Sequence, residues 1–177
     1  MQCSRLHVTG ASGSGTTTLA RAVADAWGVP HADADDYFWA PTDPPYLEKR
    51  TPPDRVALME QVFLPRPAWV LSGSMQGWGD DVVGLCDAVV FLTLDPSERM
   101  RRLEARERVR RGRGRVDESG LAAFLEWARG YDDPSFDGRS RAGHEEWLTT
   151  LTCPVLRLDS ALRPQELRDA VLAWTGA

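Results

Sequence analysis

Short apolar runs and amphipathic stretches alternate along most of this chain. The apolar runs have the length of strands, and they lie at positions 6–9, 29–32, 68–71, 88–94 and 155–158. The run 88–94 is almost entirely apolar, which is typical of a strand in a parallel sheet that is covered on both faces. Because strands and helical stretches alternate, the pattern predicts an α/β fold with a parallel sheet and right-handed crossovers.

The predicted helices are marked by apolar residues three or four positions apart. This spacing occurs after residue 16, over 56–63, after Pro96, over 121–127, over 145–151 and after Pro164. Asp95 is a natural N-cap for the helix that Pro96 begins. The proline-rich stretch 41–53 is predicted to lack regular structure. Since no internal repeat is present, we expect a single domain over residues 1–177.

Composition sets few further limits on the class of protein. A chain of 177 residues that is 42% hydrophobic and 27% charged is typical of an ordinary folded domain. The three cysteines, Cys3, Cys86 and Cys153, are widely separated, so neither a disulfide framework nor a zinc knuckle is indicated. No apolar run is long enough to span a bilayer, and the N-terminus lacks a signal-peptide pattern. We therefore expect a cytoplasmic protein outside the membrane.

The most specific motif is a glycine-rich loop between the first predicted strand and helix. The segment Gly10-Ala-Ser-Gly-Ser-Gly-Thr-Thr17 follows the Walker A pattern G-x-x-x-x-G-K-[ST], except that Thr16 replaces the lysine. Such a loop turns its backbone N-H groups towards phosphate, and the next helix adds its positive N-terminal dipole. A purely structural turn is the alternative. The candidate phosphate-binding residues are Gly10, Ser12, Gly13, Ser14, Gly15, Thr16, Thr17 and Thr18, with Thr17 also a candidate Mg²⁺ ligand.

The missing lysine affects chemistry more than binding. A neutral hydrogen bond contributes about 0.5–1.5 kcal/mol, whereas a charged one contributes about 1.5–3 kcal/mol. If nothing replaced the charge at the transferring phosphoryl group, the rate would fall on the order of tenfold to several hundredfold. A kinase with this loop therefore needs another cation.

Arginine is concentrated in one part of an otherwise acidic chain. The net charge is −5, yet nine of the 17 residues 99–115 are arginine, and the chain has one lysine, Lys49. Three interpretations remain open: a lid that clamps phosphate, a solvated helix face, and a nucleic-acid surface. The acidic remainder and the absence of interleaved aromatic residues disfavour nucleic acid, while few nearby acids are available to pair with the arginines. Gly112 and Gly114 would allow a lid to hinge.

In this order, the loop, the acidic segment after the second strand and the arginine-rich segment after the fourth resemble those of the nucleoside-monophosphate-kinase-like and shikimate-kinase-like kinases among P-loop proteins. The resemblance implies a three-layer P-loop NTPase fold, with a parallel sheet of about five strands, helices on both faces and a helical lid inserted at about 105–143. It also implies ATP and Mg²⁺ as cofactors and a small molecule as phosphate acceptor.

The resemblance assigns roles to individual residues outside the loop. His31 to Trp39 is similar to the D-x-D segment of such kinases, so Asp33 would hold Mg²⁺ through water and Asp35 would face the acceptor. An acidic turn that caps a helix is the alternative. On the lid helix, Arg106 and Arg110 would act in catalysis and Arg102 would bind the cofactor, because their i, i+4 spacing places them on one face.

Three further features have weaker assignments. Residues 159–164 occupy the position of the loop that contacts adenine in such kinases, and Ser72-Gly73 resembles a strand end that carries Asp-Gly in some of them. The polar stretch containing Arg139, Arg141 and His144 either completes the phosphate clamp or pairs at the surface with Glu145 and Glu146. Lys49 either reaches the site or lies in a solvated loop.

We therefore expect ATP-dependent phosphoryl transfer to a small-molecule acceptor, either a nucleotide or a hydroxyl compound. One alternative is a regulatory or scaffold protein that binds nucleotide but has lost catalysis together with the lysine. A second is a nucleic-acid-binding protein that uses the run Arg99–Arg115. The sequence determines neither the acceptor nor the oligomeric state.

Overall fold

A five-stranded parallel sheet forms the centre of the molecule. The computed structural model describes residues 2–43, 45–111 and 118–175. The strands lie in the spatial order β2-β3-β1-β4-β5, and every neighbouring pair is parallel. Their bounds are β1 (Arg5–Gly10), β2 (His31–Asp33), β3 (Trp69–Ser72), β4 (Ala88–Thr93) and β5 (Val155–Asp159). The predicted α/β class and parallel sheet of about five strands are confirmed.

Eight α-helices are present in the described part of the chain. They are α1 (Thr16–Trp27), α2 (Ala34–Phe38), α3 (Pro52–Val62), α4 (Asp80–Val83), α5 (Pro96–Arg111), α6 (Glu118–Arg129), α7 (Arg141–Thr149) and α8 (Pro164–Ala173), with a short 3-10 turn at Gly130–Asp132. The six helices expected from periodicity are all found. Helix α4 was not predicted, and α2 was expected only under the alternative in which the acidic segment caps a helix, because four or five residues are too few to establish a period.

The prediction that 41–53 is irregular is wrong at its end. Helix α3 begins at Pro52, and Pro53 follows in the same first turn. Proline is tolerated there because the first N-H groups of a helix have no partner within the helix. The side chain of Thr51 accepts a hydrogen bond from the N-H of Asp54 and so caps the helix.

Helices cover both faces of the sheet. On one face, Leu6, Val8 and Val90 pack against the apolar sides of α1 and α8. On the other, Trp69 and Leu71 of β3 pack with residues of α2, α3 and α4, while Val89 and Phe91 pack against Leu148 of α7. Successive residues of one strand therefore serve opposite layers, as expected for a strand buried on both sides.

The strand register brings the predicted site residues to one edge of the sheet. Val8 pairs with Ser72, Ser72 pairs with Asp33, and Gly10 pairs with Leu92. The glycine-rich loop, the acidic segment and the start of α5 thus leave the sheet side by side, which is where parallel α/β sheets bind ligands. The lid assignment at 105–143 stays a prediction, and its hinge residues Gly112 and Gly114 lie outside the described residues. No helix in the described ranges is long and apolar enough to cross a membrane.

Candidate active site

The glycine-rich loop is a tight turn that leads from β1 into α1. The N-H of Ser14 donates to the carbonyl oxygen of Ala11 at 3.0 Å. Gly13 has a φ of 92°, and a Cβ atom there would lie 2.8 Å from the carbonyl oxygen of Arg99. Only glycine fits both the conformation and the space. The loop conformation therefore follows directly from the glycine spacing.

The N-terminus of α1 is open to an anion. Its N-cap is Gly15, which has a φ of 90° and offers no side chain to the first-turn N-H groups. That first turn also contains no acidic residue. Within the described chain, the hydroxyl of Ser14 is buried without a hydrogen-bond partner. Free N-H groups, a positive helix end and a spare hydroxyl suit a phosphate group.

The predicted metal-binding pair is in contact. Thr17 Oγ1 donates a hydrogen bond to Asp33 Oδ2 at 2.9 Å. The other oxygen, Asp33 Oδ1, accepts from the N-H of Asp35 at 3.2 Å and caps α2. The acidic segment is thus a helix cap, as the alternative interpretation held, and it also contacts the phosphate loop. Hydroxyl and carboxylate oxygens are suitable ligands for Mg²⁺, so these residues fit the metal that the sequence resemblance implies.

Asp35 lies in the first turn of α2 and is surrounded by charges. Although Asp35 is an exposed residue, desolvation of its carboxyl group by the surrounding protein and the negative charge of Asp33 raise its pKa, while the positive charges of Arg139, Arg106 and Arg110 lower it. The net direction is upwards, so Asp35 binds a proton more readily than an ordinary aspartate. A carboxylate of this kind is suited to accept a proton from a hydroxyl group.

The arginine-rich helix α5 does not present a single clamping face. Arg102 donates to Glu98 at 2.8 Å and to the carbonyl oxygen of Ser160 at 3.0 Å, which fixes it to the loop after β5. Arg106 and Arg110 both pair with Glu107, at 2.8 Å and 3.2 Å, and their charges act on Asp35. The three arginines of the predicted clamp are therefore divided: Arg102 contacts the loop after β5, whereas Arg106 and Arg110 act on Asp35.

The expectation that few acids are available to the arginines is wrong in part. Arg101 and Arg102 share Glu98. Arg99, the first residue of the arginine-rich run 99–115, is buried and pairs with Asp132 at 3.0 Å. It also donates to the carbonyl oxygen of Ser12 at 3.2 Å. A signal for its burial was present in the sequence, because the buried Leu103 lies one helical turn further along the same face.

Arg139, which the sequence left open between a phosphate clamp and surface pairing, contacts the glycine-rich loop. Its Nη2 atom donates to Ser12 Oγ at 2.7 Å. Its guanidinium carbon lies 5.0 Å from the centre of the Trp127 ring. The surface pairing considered for this stretch is not found in the described residues, because Arg141 pairs with Asp132 and Glu145 pairs with Arg157.

A relative from Bacillus subtilis (strain 168), "Uncharacterized protein YqaC", is 38% identical over 173 residues, which is 96% of each chain. The chain belongs to the YqaC family. No broader family profile matches it.

Three solved structures, each of a small-molecule kinase, share the fold of this YqaC family member. A shikimate kinase from Bacteroides thetaiotaomicron has a TM-score of 0.58 at 16% identity, with 95% of this chain and 96% of that chain covered. A sugar kinase from Janibacter sp. HTCC2649 has 0.55 at 20%, covering 97% and 94%. A gluconokinase from Sinorhizobium meliloti 1021 has 0.54 at 21%, covering 96% and 90%. The predicted resemblance is confirmed at the level of the fold.

Aromatic rings hold the lone lysine of this YqaC family member. The ammonium group of Lys49 lies 5.7 Å from the Trp39 ring centre and 5.8 Å from that of Phe38. The side chain is exposed, and its residue forms an isolated antiparallel bridge with Trp39. Lys49 therefore packs against aromatic rings beside the acidic segment. Among the described residues, it makes no contact with the glycine-rich loop.

Proposed function

We propose that this protein is an ATP-dependent kinase that transfers the γ-phosphoryl group to a hydroxyl group of a small molecule. The observation that carries the proposal is the contact between Thr17 and Asp33. It joins a phosphate-binding loop to an acidic segment at the same sheet edge, 2.9 Å from hydroxyl to carboxylate. Asp35 follows two residues later, where an acceptor hydroxyl can approach.

Each group in the site has a distinct task under this proposal. The N-H groups of the loop and of the first turn of α1 bind the β-phosphate. Thr17 holds Mg²⁺ directly and Asp33 holds it through water, and the ion when bound screens the negative charge of the phosphates. Asp35 orients the acceptor hydroxyl and takes its proton.

The arginines of α5 complete the proposed site. Arg106 and Arg110 lie near enough to Asp35 for their charges to lower its pKa, so they border the space in which acceptor and phosphoryl group meet. Arg102 is held against the loop after β5 through Ser160, which suits a contact with the nucleotide base. The small-molecule kinases that share this fold support the general reaction, and their low sequence identity leaves the acceptor open.

The direct test is ADP formation by the purified protein with a panel of nucleotides, sugars and hydroxy acids. We expect Mg²⁺-dependent turnover with at least one acceptor and its loss in Asp33→Asn. The matched control is Asp36→Asn, because Asp36 is the neighbouring acid that makes no contact with the phosphate loop in the described structure. Absence of Mg²⁺-dependent ATP consumption across the whole panel would refute the proposal.

A protein that binds nucleotide but has lost catalysis is a second candidate function, because Thr16 occupies the position of the Walker A lysine. Thr16→Lys separates the two functions. In a degenerate binder the substitution changes nucleotide affinity without producing turnover, whereas in a kinase it changes the rate. The nucleic-acid alternative has less support, since Arg99, Arg101, Arg102, Arg106 and Arg110 all form ion pairs. It predicts steeply salt-dependent binding of nucleic acid.

A further inference from the structure

We propose that Arg139 supplies the positive charge that Thr16 cannot bring to the transferring phosphoryl group. This inference rests on the proposed kinase function and identifies the cation that such a function requires. Arg139 lies far from the phosphate loop in sequence, 127 residues after Ser12, yet its guanidinium group touches the loop.

The free hydrogen-bonding capacity of Arg139 is the first argument. Only its Nη2 atom has a partner in the described structure, the hydroxyl of Ser12 at 2.7 Å. Its Nε atom is buried and has no partner there. Arg139 also forms no ion pair with any described residue, whereas Arg99, Arg106 and Arg110 each pair with an acid. A buried guanidinium N-H without a partner destabilises the folded protein unless an anion accepts its hydrogen bond.

In the described structure, three other arginines near the loop are already paired with acids. Arg99 gives Nη1 to the carbonyl oxygen of Ser12 and Nη2 to Ala128 and Asp132. Arg106 and Arg110 are paired with Glu107 on their own helix. The Nε atom of Arg99 is also buried without a described partner, but the charge of Arg99 is balanced by Asp132. Among these described arginines, Arg139 is therefore the one that contacts the loop with a charge that no acid balances.

The chain holds Arg139 in place from both sides. Its side chain lies over the ring of Trp127 on α6. The next residue, Ser140, caps α7 through the N-H of Gly143 at 3.1 Å. Arg141 then pairs with Asp132, which also pairs with Arg99. Since Arg99 donates to the loop backbone, residues 139–141 are connected to the loop twice, which is the preorganisation that charge stabilisation requires.

Arg139 also lies near both of the groups that the proposal assigns to the reaction, the glycine-rich loop and Asp35. It contacts the phosphate loop directly, and its charge acts on Asp35. In the transfer, the acceptor oxygen bonds to the γ-phosphorus while the bond to the β,γ-bridging oxygen breaks. The acceptor proton passes to Asp35, and ADP leaves with the bridging electron pair. Arg139 donates N-H bonds to the non-bridging oxygens of the group in transit, and its planar fork suits them.

The test measures nucleotide affinity in the full chain, so it needs no acceptor. Calorimetry with Mg²⁺ compares ADP with the non-hydrolysable analogue in which nitrogen bridges the β- and γ-phosphates. In the parent we expect the analogue to bind more tightly. Arg139→Gln, which can keep the bond to Ser12 without the charge, should reduce this preference by about ten- to a hundredfold. Arg139→Lys should keep most of it, and Thr16→Lys should restore it in Arg139→Gln.

The preference between the two nucleotides separates the proposed role from a structural one. Arg129→Met removes another arginine beside the lid, one paired only with Glu104 and Glu126 in the described structure, and should match the parent. Thermal melting checks that every variant is folded. If Arg139→Gln keeps the parent's preference, or loses affinity for both nucleotides equally, the inference is overturned while the kinase proposal stands. If the parent binds neither nucleotide, both are overturned.

Discussion

At the residue scale, the candidate site contains residues that each contact two partners. Asp33 accepts from Thr17 with one oxygen and caps α2 with the other. The carbonyl oxygen of Ser12 accepts a hydrogen bond from Arg99, and its hydroxyl oxygen accepts one from Arg139. Because one residue joins two elements in each case, a small change in the side chain should alter the position of a whole segment.

Asp35 gives a prediction about pH. Its pKa is raised, chiefly by desolvation and by Asp33, and a general base acts only when deprotonated. We therefore expect kcat/KM to fall as the pH is lowered through a pKa above the ordinary aspartate value, and to be level on the alkaline side of that pKa.

Two variants of the acceptor site test that assignment. Asp35→Asn should lower kcat by about 10²- to 10⁴-fold and remove the acid limb of the profile. Arg106→Gln removes a charge that lowers the pKa of Asp35, so it should move the acid limb to higher pH. An acid limb that stays unchanged in Asp35→Asn would show that another group takes the proton.

At the element scale, Arg99 connects α5 to three other parts of the molecule. It donates to the phosphate loop, to the end of α6 and to the 3-10 turn at Gly130–Asp132, and its side chain is almost fully buried. Arg99→Met should lower the free energy of unfolding by about 3–5 kcal/mol, because it leaves buried acceptors and Asp132 without their partner.

The same helix provides the control. Arg101 is largely exposed and pairs only with Glu98 in the described structure, so Arg101→Met should cost about 1 kcal/mol or less. Urea denaturation of both variants measures the difference. Equal losses would mean that Arg99 contributes no more than a surface arginine.

Between β1 and α7, two buried histidines give a second element-scale prediction. Burial lowers the pKa of His7 to about 4 and that of His144 to about 3. His7 donates to the carbonyl oxygen of Gly73, His144 bonds the Tyr131 hydroxyl, and each ring has one buried nitrogen without a described partner. Both rings are therefore neutral in the folded protein.

The sign of the pH effect follows from these pKa values. The unfolded histidines bind protons below about pH 6.5, whereas the folded ones bind them only near pH 4 and 3, so protonation favours unfolding in this window. The free energy of unfolding should fall by about 1–3 kcal/mol per histidine as the pH drops from 6.5 towards 4. His7→Gln should lose its share of this dependence, and an unchanged slope in that variant would contradict the assignment.

At the scale of the whole molecule, the sequence predicted what is encoded locally. The phosphate loop and the Thr17–Asp33 pair were predictable, since glycine spacing fixes the loop and the parallel register carries Asp33 to its edge. For Arg139 the sequence left a phosphate clamp and surface pairing both open, because no pattern within either segment implies its contact with Ser12. Arg99 was grouped with the arginine-rich run 99–115 for the same reason: its partner Asp132 lies in a separate 3-10 turn.

These long-range contacts predict how the whole molecule responds to nucleotide. Arg99, Arg139 and the shared acid Asp132 connect the loop to α5, to the 3-10 turn and to the start of α7. Binding of Mg²⁺ and the imido-bridged ATP analogue should therefore slow amide hydrogen exchange in residues 10–18 and also in 130–144. In contrast, α3 touches neither arginine in the described structure and should exchange at its original rate. In Arg99→Met, only residues 10–18 should be protected when the nucleotide binds. If only these residues were protected in the parent as well, the contacts of Arg99 and Arg139 would not couple nucleotide binding to residues 130–144.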